Sequence, residues 1–183
     1  MAEYLFPQDE FRYYAGRGKT LKQRLFAPEE VKFIKAFRKA QYYFQRNKLL
    51  YFFWEMRKRR IERVTHIQIP TATKIGAGFY IGHCGRVVIN PNAVLGKNIN
   101  IAVGVTIGQT NRGKLQGTPV IGDNVWIGTN AVIVGGIKIG NDVLIAPNAY
   151  VNFDVPDHSV VVGNPATIMH RENATYQYIN RTV

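Results

Sequence analysis

His83 is the residue of this sequence best placed to act as a general base. It lies in the stretch Gly82-His83-Cys84-Gly85-Arg86, with a glycine on each side. A neutral imidazole accepts a proton from a hydroxyl group near pH 7, provided that a partner holds its other ring nitrogen. His66 and His158 lie in contexts typical of packing or loop histidines. The sequence therefore predicts proton-transfer chemistry at His83.

Cys84 offers a rival chemistry in which its thiolate is the nucleophile. Side chains of neighbouring residues on an extended segment point to opposite faces, so His83 is poorly placed to activate Cys84 in the same chain. Cys84 is the sole cysteine, which excludes an intramolecular disulfide and suits a reducing compartment. We therefore expect a histidine base and no covalent enzyme intermediate.

The elements that position His83 follow from a repeat of six residues. A fixed period with an aliphatic head predicts a parallel β-helix, in which three units close one triangular coil. The head points inward, and glycine or asparagine forms the corner. The open edges at the two ends need covers, for which the N-terminal helices and the C-terminal tail are available. The heads are Ile69, Ile75, Ile81, Ile89, Leu95, Ile101, Ile107, Ile121, Ile127, Ile133, Ile139, Ile145 and Val151.

The repeat is interrupted twice. Ile81 and Ile89 are eight residues apart instead of six, and the extra residues surround His83. Ile107 and Ile121 are fourteen residues apart. We interpret this distance as two repeat units of six residues and two inserted residues. The intervening stretch 109–117 is polar, basic and rich in glycine, as is typical of an excluded loop. Insertions in a repeat fold tend to form its binding face, so we expect function at both interruptions.

The positive charge is concentrated at the N-terminus. The formal net charge is +12; residues 1–66 hold 16 basic against 7 acidic residues, and residues 67–183 hold 8 against 5. Such a surface attracts anions, although no nucleic-acid-binding module is recognised and we expect no nucleic-acid partner. The chain start lacks the pattern of a secretory signal, so we expect a cytoplasmic protein. We divide the chain into a helical segment (1–66), a β-helix (67–171) and a tail (172–183).

Residues 28–64 show helical periodicity, while residues 1–27 form a loosely structured or helical arm that carries Arg17, Lys19, Lys22 and Arg24. The helical region contains an apolar run from Leu49 to Trp54, followed by the basic run 57–60. This run is too short to cross a bilayer. Two alternatives stay open: it packs on the end of the β-helix, or it lies in a lipid interface as a peripheral contact with the inner membrane.

The repeat region resembles the hexapeptide-repeat acyltransferases, whose fold is a left-handed parallel β-helix. Within them it is most similar to the serine O-acetyltransferase branch and its polysaccharide O-acetyltransferase relatives. The resemblance covers roughly residues 66–171. It depends on residues 81–89 around His83, on Ile121-Gly-Asp-Asn-Val-Trp-Ile-Gly128 and on Val162-Gly-Asn-Pro-Ala166.

The resemblance implies an acetyl-CoA-dependent O-acetyltransferase, built as a homotrimer with active sites at subunit boundaries and without a metal. His83 matches the catalytic histidine, and Gln68 lies where a relative places the aspartate that holds this histidine. Matched positions imply cofactor contacts at Gly108, Thr129, Pro147, Asn152 and Arg171, and a substrate contact at Thr118. From the residues themselves, Asn90 is close enough in sequence to His83 to line an acceptor pocket, and Arg112 is a basic loop residue that either meets coenzyme phosphates or an acidic glycan or is solvated.

Three departures from the serine-acetylating pattern bear on the acceptor. Gln68 and Gly82 stand where serine acetyltransferases carry acids, and Thr118 stands where they carry a second histidine. An ammonium group needs a carboxylate partner, which these positions do not supply. The sequence therefore favours the hydroxyl of a sugar or polysaccharide as acceptor. Serine O-acetylation and a non-enzymatic trimeric β-helix scaffold are the alternatives, whereas a zinc carbonic anhydrase of this fold needs three histidines and the repeats hold only His83.

Overall fold

The computed structural model describes residues 4–14 and 26–183 of the 183-residue chain. The basic residues Arg17, Lys19, Lys22 and Arg24 lie outside the described residues. Within those ranges the chain forms three helices, α1 (Phe6–Tyr14), α2 (Glu29–Tyr43) and α3 (Lys48–Thr65). Fifteen short strands follow: β1 (Ile67–Gln68), β2 (Lys74–Ile75), β3 (Tyr80–Ile81), β4 (Val87–Ile89), β5 (Val94–Leu95), β6 (Asn100–Ile101), β7 (Thr106–Gly108), β8 (Val120–Ile121), β9 (Val125–Ile127), β10 (Val132–Val134), β11 (Lys138–Ile139), β12 (Val143–Ile145), β13 (Tyr150–Val151), β14 (Ser159–Gly163) and β15 (Ala166–His170).

The strands form three sheets, which are the three sides of a coil. Sheet I has the order β1-β4-β7-β10-β13, sheet II the order β2-β5-β8-β11, and sheet III the order β3-β6-β9-β12-β14-β15. As far as β13, successive strands of the chain go to successive sheets, so every third strand returns to the same side. Neighbours are parallel except for β14 and β15. The predicted parallel β-helix with an N-terminal helical segment is confirmed.

The aliphatic heads of the repeat point into the coil, as predicted. In sheet I, Ile89 pairs with Ile107, and Ile107 pairs with Ile133. All three are buried, together with the heads of the other two sheets. Burial of such a side chain stabilises the fold by about 1.5–3 kcal/mol. The regular repeat therefore builds one continuous apolar core along the axis.

Residues 28–64, for which the sequence predicts helical structure, form two helices, α2 and α3. The side chain of Asn47 accepts a hydrogen bond from the backbone N–H of Leu50 at 3.0 Å and begins α3. Asparagine is a favoured N-cap because it satisfies an N–H that has no partner within the helix. His66 ends α3 in the left-handed conformation, with a φ of 58°. His66 therefore has a structural role, in line with the sequence analysis.

Covers lie at both ends of the β-helix, as expected from the need to satisfy its open edges. At the first coil, the hydroxyl of Tyr13 donates to the carbonyl of Ile81 at 2.6 Å and accepts from its N–H at 3.0 Å. The carboxylate of Asp9 accepts from the N–H of Phe79 at 2.9 Å. Helix α1 thus takes the place of a preceding strand on sheet III. At the other end, the antiparallel strand β15 covers β14.

The predicted tail, residues 172–183, packs back along one edge of the β-helix. The carboxylate of Asp142 accepts from the N–H of Ala174 at 2.9 Å and from the N–H of Thr175 at 3.0 Å. Further along, the N–H of Val183 donates to the side chain of Asn98 at 2.9 Å. The tail therefore lies on the edge between sheets II and III.

Candidate active site

The interruption around His83 forms an anchored bulge at the edge between sheets III and I. The N–H of Gly82 donates to the carbonyl of Ile101 at 3.0 Å, and the N–H of Gly85 donates to the carbonyl of Thr65 at 3.1 Å. Gly85 has a φ of 148°, and a Cβ there would clash with the side chain of Val103. Glycine is therefore required at position 85, and the bulge holds His83 on the surface of the coil.

The His83 side chain is exposed. Within residues 4–14 and 26–183, no side chain or carbonyl forms a hydrogen bond with its ring. Gln68, its predicted orienting partner, is exposed and lines a cleft against α3 together with Glu62 and His66. One copy of the chain therefore does not bring Gln68 to His83, and the orienting role of Gln68 stays a prediction.

A carboxylate reaches this bulge from helix α2. The thiol of Cys84 donates to Oε2 of Glu30 at 3.1 Å, although the two residues are 54 positions apart. Burial and, next, the hydrogen bond to Glu30 raise the pKa of the Cys84 thiol to about 11. The thiol is therefore protonated at neutral pH, which argues against the nucleophilic role that the sequence analysis already disfavoured. Glu30 was missed from the sequence, where Pro28-Glu29-Glu30 indicates only the first turn of a helix.

We expect the Cys84→Ala variant to turn over its substrate at a rate within about twofold of the rate of the unmodified protein, because a protonated thiol is a poor nucleophile. The same pKa predicts slow alkylation of Cys84 by iodoacetamide near pH 8, where about 0.1% of a thiol with this pKa is ionised. The alkylation rate should rise steeply as the pH approaches 11. Mass spectrometry after timed alkylation measures it. Alkylation that is already at its maximum at pH 8, or loss of turnover in the variant, contradicts this assignment.

Two of the predicted cofactor residues lie on the same edge of the coil as His83. The N–H of Asn130 donates to the carbonyl of Val103 at 3.0 Å, and the N–H of Asn148 donates to the carbonyl of Thr129 at 2.8 Å. These bonds stack the corner of each coil on the next. Thr129 and Pro147 therefore follow His83 along the edge between sheets III and I, and they form its continuation toward the C-terminal end.

The predicted substrate residues Asn90 and Thr118 lie on a different edge, between sheets I and II, together with the predicted cofactor residues Gly108 and Asn152. Gly108 ends β7, and the N–H of Asn90 donates to the carbonyl of Ile107 at 2.8 Å. The hydroxyl of Thr118 donates to the carbonyl of Asn92 at 3.0 Å. Asn152 follows β13 at the same edge, two coils further along. The structure thus groups Asn90, Gly108, Thr118 and Asn152 but separates them from His83 by the width of sheet I.

The loop at this second edge is longer than the sequence analysis assumed. The strands β7 and β8 are consecutive sides of one coil, so Ile107 and Ile121 should be six residues apart. The insertion is therefore eight residues, and the prediction of two full units plus two residues is wrong. Thr110 and Gly117 exchange backbone hydrogen bonds of 3.0 and 2.9 Å, which closes the loop as a narrow hairpin. Arg112 is exposed near its tip.

Arg171 lies on the third edge of the coil. Its N–H donates to the carbonyl of His158 at 2.8 Å, next to the Asp142 carboxylate that holds the tail. The predicted site residues therefore occupy all three edges, and one copy of the chain does not unite them. Among the described residues, no group of three or more histidine, cysteine, aspartate or glutamate side chains is arranged to hold a metal ion.

The sequence of this chain matches a model for bacterial transferase hexapeptide repeats (six repeats) over residues 118–152. Two curated relatives are serine acetyltransferase 4 of Arabidopsis thaliana and a serine acetyltransferase of Staphylococcus aureus. The first is 40% identical over 110 residues, which are 60% of this chain and 31% of the relative. The second is 40% identical over 108 residues, which are 59% of this chain and 51% of the relative. The chain thus spans from a third to a half of these relatives.

Among solved structures, a serine acetyltransferase of Neisseria gonorrhoeae in complex with serine is similar to this chain with a TM-score of 0.69. The two are 31% identical, and the match covers 90% of this chain and 67% of the other. Because it covers 90% of this chain, the structural match extends beyond the repeats into the N-terminal helical segment, whereas the family model matches residues 118–152.

Proposed function

We propose that this chain, which belongs to the hexapeptide-repeat acyltransferases and resembles their serine acetyltransferase branch, is an acetyl-CoA-dependent O-acetyltransferase. The observation that carries the proposal is the anchored bulge that presents His83 at an edge of a hexapeptide β-helix. The bulge is fixed through Gly82 and Gly85, and it leaves the imidazole accessible to a substrate.

In the proposed reaction, a neutral His83 takes the proton of the acceptor hydroxyl while the hydroxyl oxygen attacks the thioester carbonyl of acetyl-CoA. A backbone N–H stabilises the oxyanion of the tetrahedral intermediate, with Gly108 as the first candidate donor. The carbon–sulfur bond then breaks, the acetyl group stays on the acceptor oxygen, and the coenzyme A thiolate takes the proton from His83. The protonated Cys84 thiol takes no part, so no acetyl-enzyme forms.

The distribution of the site residues favours a homotrimer with sites between subunits. His83, Thr129 and Pro147 lie on one edge of the coil, whereas Asn90 and Gly108 lie on another. A three-fold arrangement places the first edge of one copy against the second edge of the next, which completes a site that one copy lacks. Coenzyme A would then lie in the groove between the copies, along Thr129 and Pro147.

For the acceptor, we propose L-serine first. The curated relatives and the solved structure are serine acetyltransferases by name. Gln68 and Gly82 are uncharged, so these two positions leave the ammonium group of serine without a counter-charge. Glu30 supplies a carboxylate at the residue directly after His83. A neutral sugar hydroxyl remains the second candidate, favoured only by the absence of acids at positions 68 and 82.

We expect Glu30→Gln to raise the KM for L-serine by about 10- to 100-fold, because a hydrogen bond to a charged group contributes about 1.5–3 kcal/mol. The KM for acetyl-CoA should stay within about twofold, since the thioester carries no group that Glu30 would pair. Release of the coenzyme A thiol measures both values. The assay uses L-serine, simple sugars and oligosaccharides as acceptors.

Glu29→Gln is the matched control. Glu29 lies on the same helical turn, and its carboxylate pairs with Lys32 at 2.6 Å instead of with the bulge. Serine turnover that responds equally to the two changes removes Glu30 from the site. Turnover with a sugar but not with serine selects the second candidate. Transfer to neither acceptor by a protein that binds acetyl-CoA supports the non-enzymatic scaffold and overturns the proposal.

A further inference from the structure

Helix α3 carries two opposite stripes of very different character. The inner stripe, at the spacing i, i+4, i+7, i+11, consists of Trp54, Lys58, Ile61 and Thr65, which are buried or half-buried. The outer stripe at the same spacing begins at Leu49 and faces away from the β-helix. Its apolar residues and their neighbours are largely exposed: Leu49 by 83%, Phe52 by 64%, Phe53 by 56% and Met56 by 47%. Of the apolar run from Leu49 to Trp54, Trp54 packs against the core, whereas Leu49, Phe52 and Phe53 remain exposed.

The second half of the outer stripe is cationic. Arg60 and Arg63 are exposed there, Arg57 is exposed at the flank of the stripe, and no acidic side chain of the described residues pairs with any of the three. Arg57 instead lies over the ring of Trp54, 5.9 Å from its centroid. The face therefore begins with aromatic and aliphatic side chains and continues with three unpaired arginines.

The acids of α3 are turned away from this face. Glu55 accepts from Thr71 at 2.6 Å and from Arg59 at 3.0 Å, and Glu62 accepts from Lys58 at 3.2 Å. Lys58 also donates to the carbonyl of Ile69 at 3.1 Å. Both carboxylates are thus used in fixing α3 to the start of the β-helix, which leaves the outward positive charge uncompensated.

We propose that this face of α3 docks the protein on an anionic phospholipid bilayer, with Leu49, Phe52, Phe53 and Met56 in the interface and the arginines at the phosphates. Aromatic and aliphatic side chains partition into the interface, and cations near an anionic surface add to the affinity. A second copy of the chain is a poorer occupant, because helices packed in parallel would bring the arginine clusters together and helices packed antiparallel would bury the arginines against apolar side chains. None of the described helices is long and apolar enough to cross a membrane, so the contact is peripheral. The inference does not depend on the acceptor of the transferase reaction.

The test is co-sedimentation of the full chain with vesicles of phosphatidylcholine alone or mixed with phosphatidylserine. We expect stronger binding to the anionic vesicles, and weaker binding as salt is added. The triple change R57Q/R60Q/R63Q should lower the anionic partition coefficient by roughly 10²-fold, because each cation near such a surface strengthens binding about fivefold. The double change F52A/F53A should weaken binding to both kinds of vesicle.

The matched control is K74Q/K97Q/K138Q, which removes the same charge from exposed positions on the β-helix. This variant should bind vesicles like the unchanged protein, and circular dichroism verifies that each variant is folded. Equal binding to neutral and anionic vesicles, or an equal loss in the two triple variants, overturns the proposal. Two further results would overturn it. One is concentration-dependent self-association, measured by analytical ultracentrifugation, that is abolished in F52A/F53A. The other is binding to RNA without binding to vesicles.

Discussion

Replacement of His83 by alanine is expected to lower the rate of acetyl transfer by about 10²- to 10⁴-fold, the usual contribution of a general base. The reason is structural: within the described residues, His83 is the imidazole on the bulge that interrupts the repeat, and the Cys84 thiol beside it is protonated. The loss should appear in kcat, while the affinity for coenzyme A changes little. Thiol release under saturating acetyl-CoA measures kcat, and calorimetry measures coenzyme A binding.

His66→Asn is the control for this experiment. His66 ends α3 with a φ of 58°, and asparagine tolerates this left-handed conformation, so the change removes an imidazole without disturbing the cap. We expect its kcat to stay within about twofold, since a surface change away from functional features has little effect. Equal rates for H83A and the unchanged protein rule out His83 as the base. A large loss of kcat in H66N but not in H83A would mean that the imidazole of His66, on the other side of the bulge, is the base.

The fold could be predicted because the repeat encodes it locally. Each aliphatic head, such as Ile89 or Ile107, is buried by the strand above and below it, and the same relation recurs in every coil. The extra residues between Ile81 and Ile89 could only be accommodated at a corner. The bulge around His83 was therefore accessible from the spacing alone, and its position is as expected.

The grouping of the site residues was also contained in the repeat, but only with the correct loop length. Three units close a coil, so Thr129 and Pro147, which are 18 positions apart, share an edge. If two full units are counted between Ile107 and Ile121, the residues before the loop are displaced by one side of the coil relative to Thr129 and Pro147. The edge that His83 shares with these two residues then cannot be recognised from the sequence. An eight-residue loop has the same length in sequence as one additional unit of six residues plus two inserted residues, and a residue count does not distinguish them.

Contacts between the helices and the β-helix could not be predicted from spacing. The contact of Glu30 with Cys84 joins residues 54 positions apart, and the acid has an ordinary helical function in its own segment. In the same way, the run from Leu49 to Trp54 has a composition that suits a core as well as an exposed face. Which of the two it becomes depends on how Lys58 and Glu62 fix α3, and this is a tertiary contact.

The change Arg38→Met is expected to destabilise the fold by about 3–5 kcal/mol, because it leaves a buried charge without its partner. Nε of Arg38 lies 2.7 Å from Oδ2 of Asp9, and the two side chains are 2% and 0% exposed. The guanidinium also donates to the carbonyls of Ile75 at 2.7 Å and Gly76 at 2.6 Å. The arginine therefore connects α2 to α1 and to the first coil, and the variant loses both connections.

The measurement is urea unfolding at one fixed protein concentration, since assembly of copies adds to the apparent stability. Lys32→Met is the control on the same helix: its 2.6 Å pair with Glu29 is partly exposed, so we expect a loss below about 1 kcal/mol. The double change D9L/R38M should cost less than the sum of the single changes, because two apolar side chains leave no buried charge. A value for R38M equal to that for K32M would mean that the buried pair does not hold the helices on the β-helix. Additive losses in the double variant would mean that Asp9 acts mainly through the N–H of Phe79, at the edge of sheet III that α1 covers.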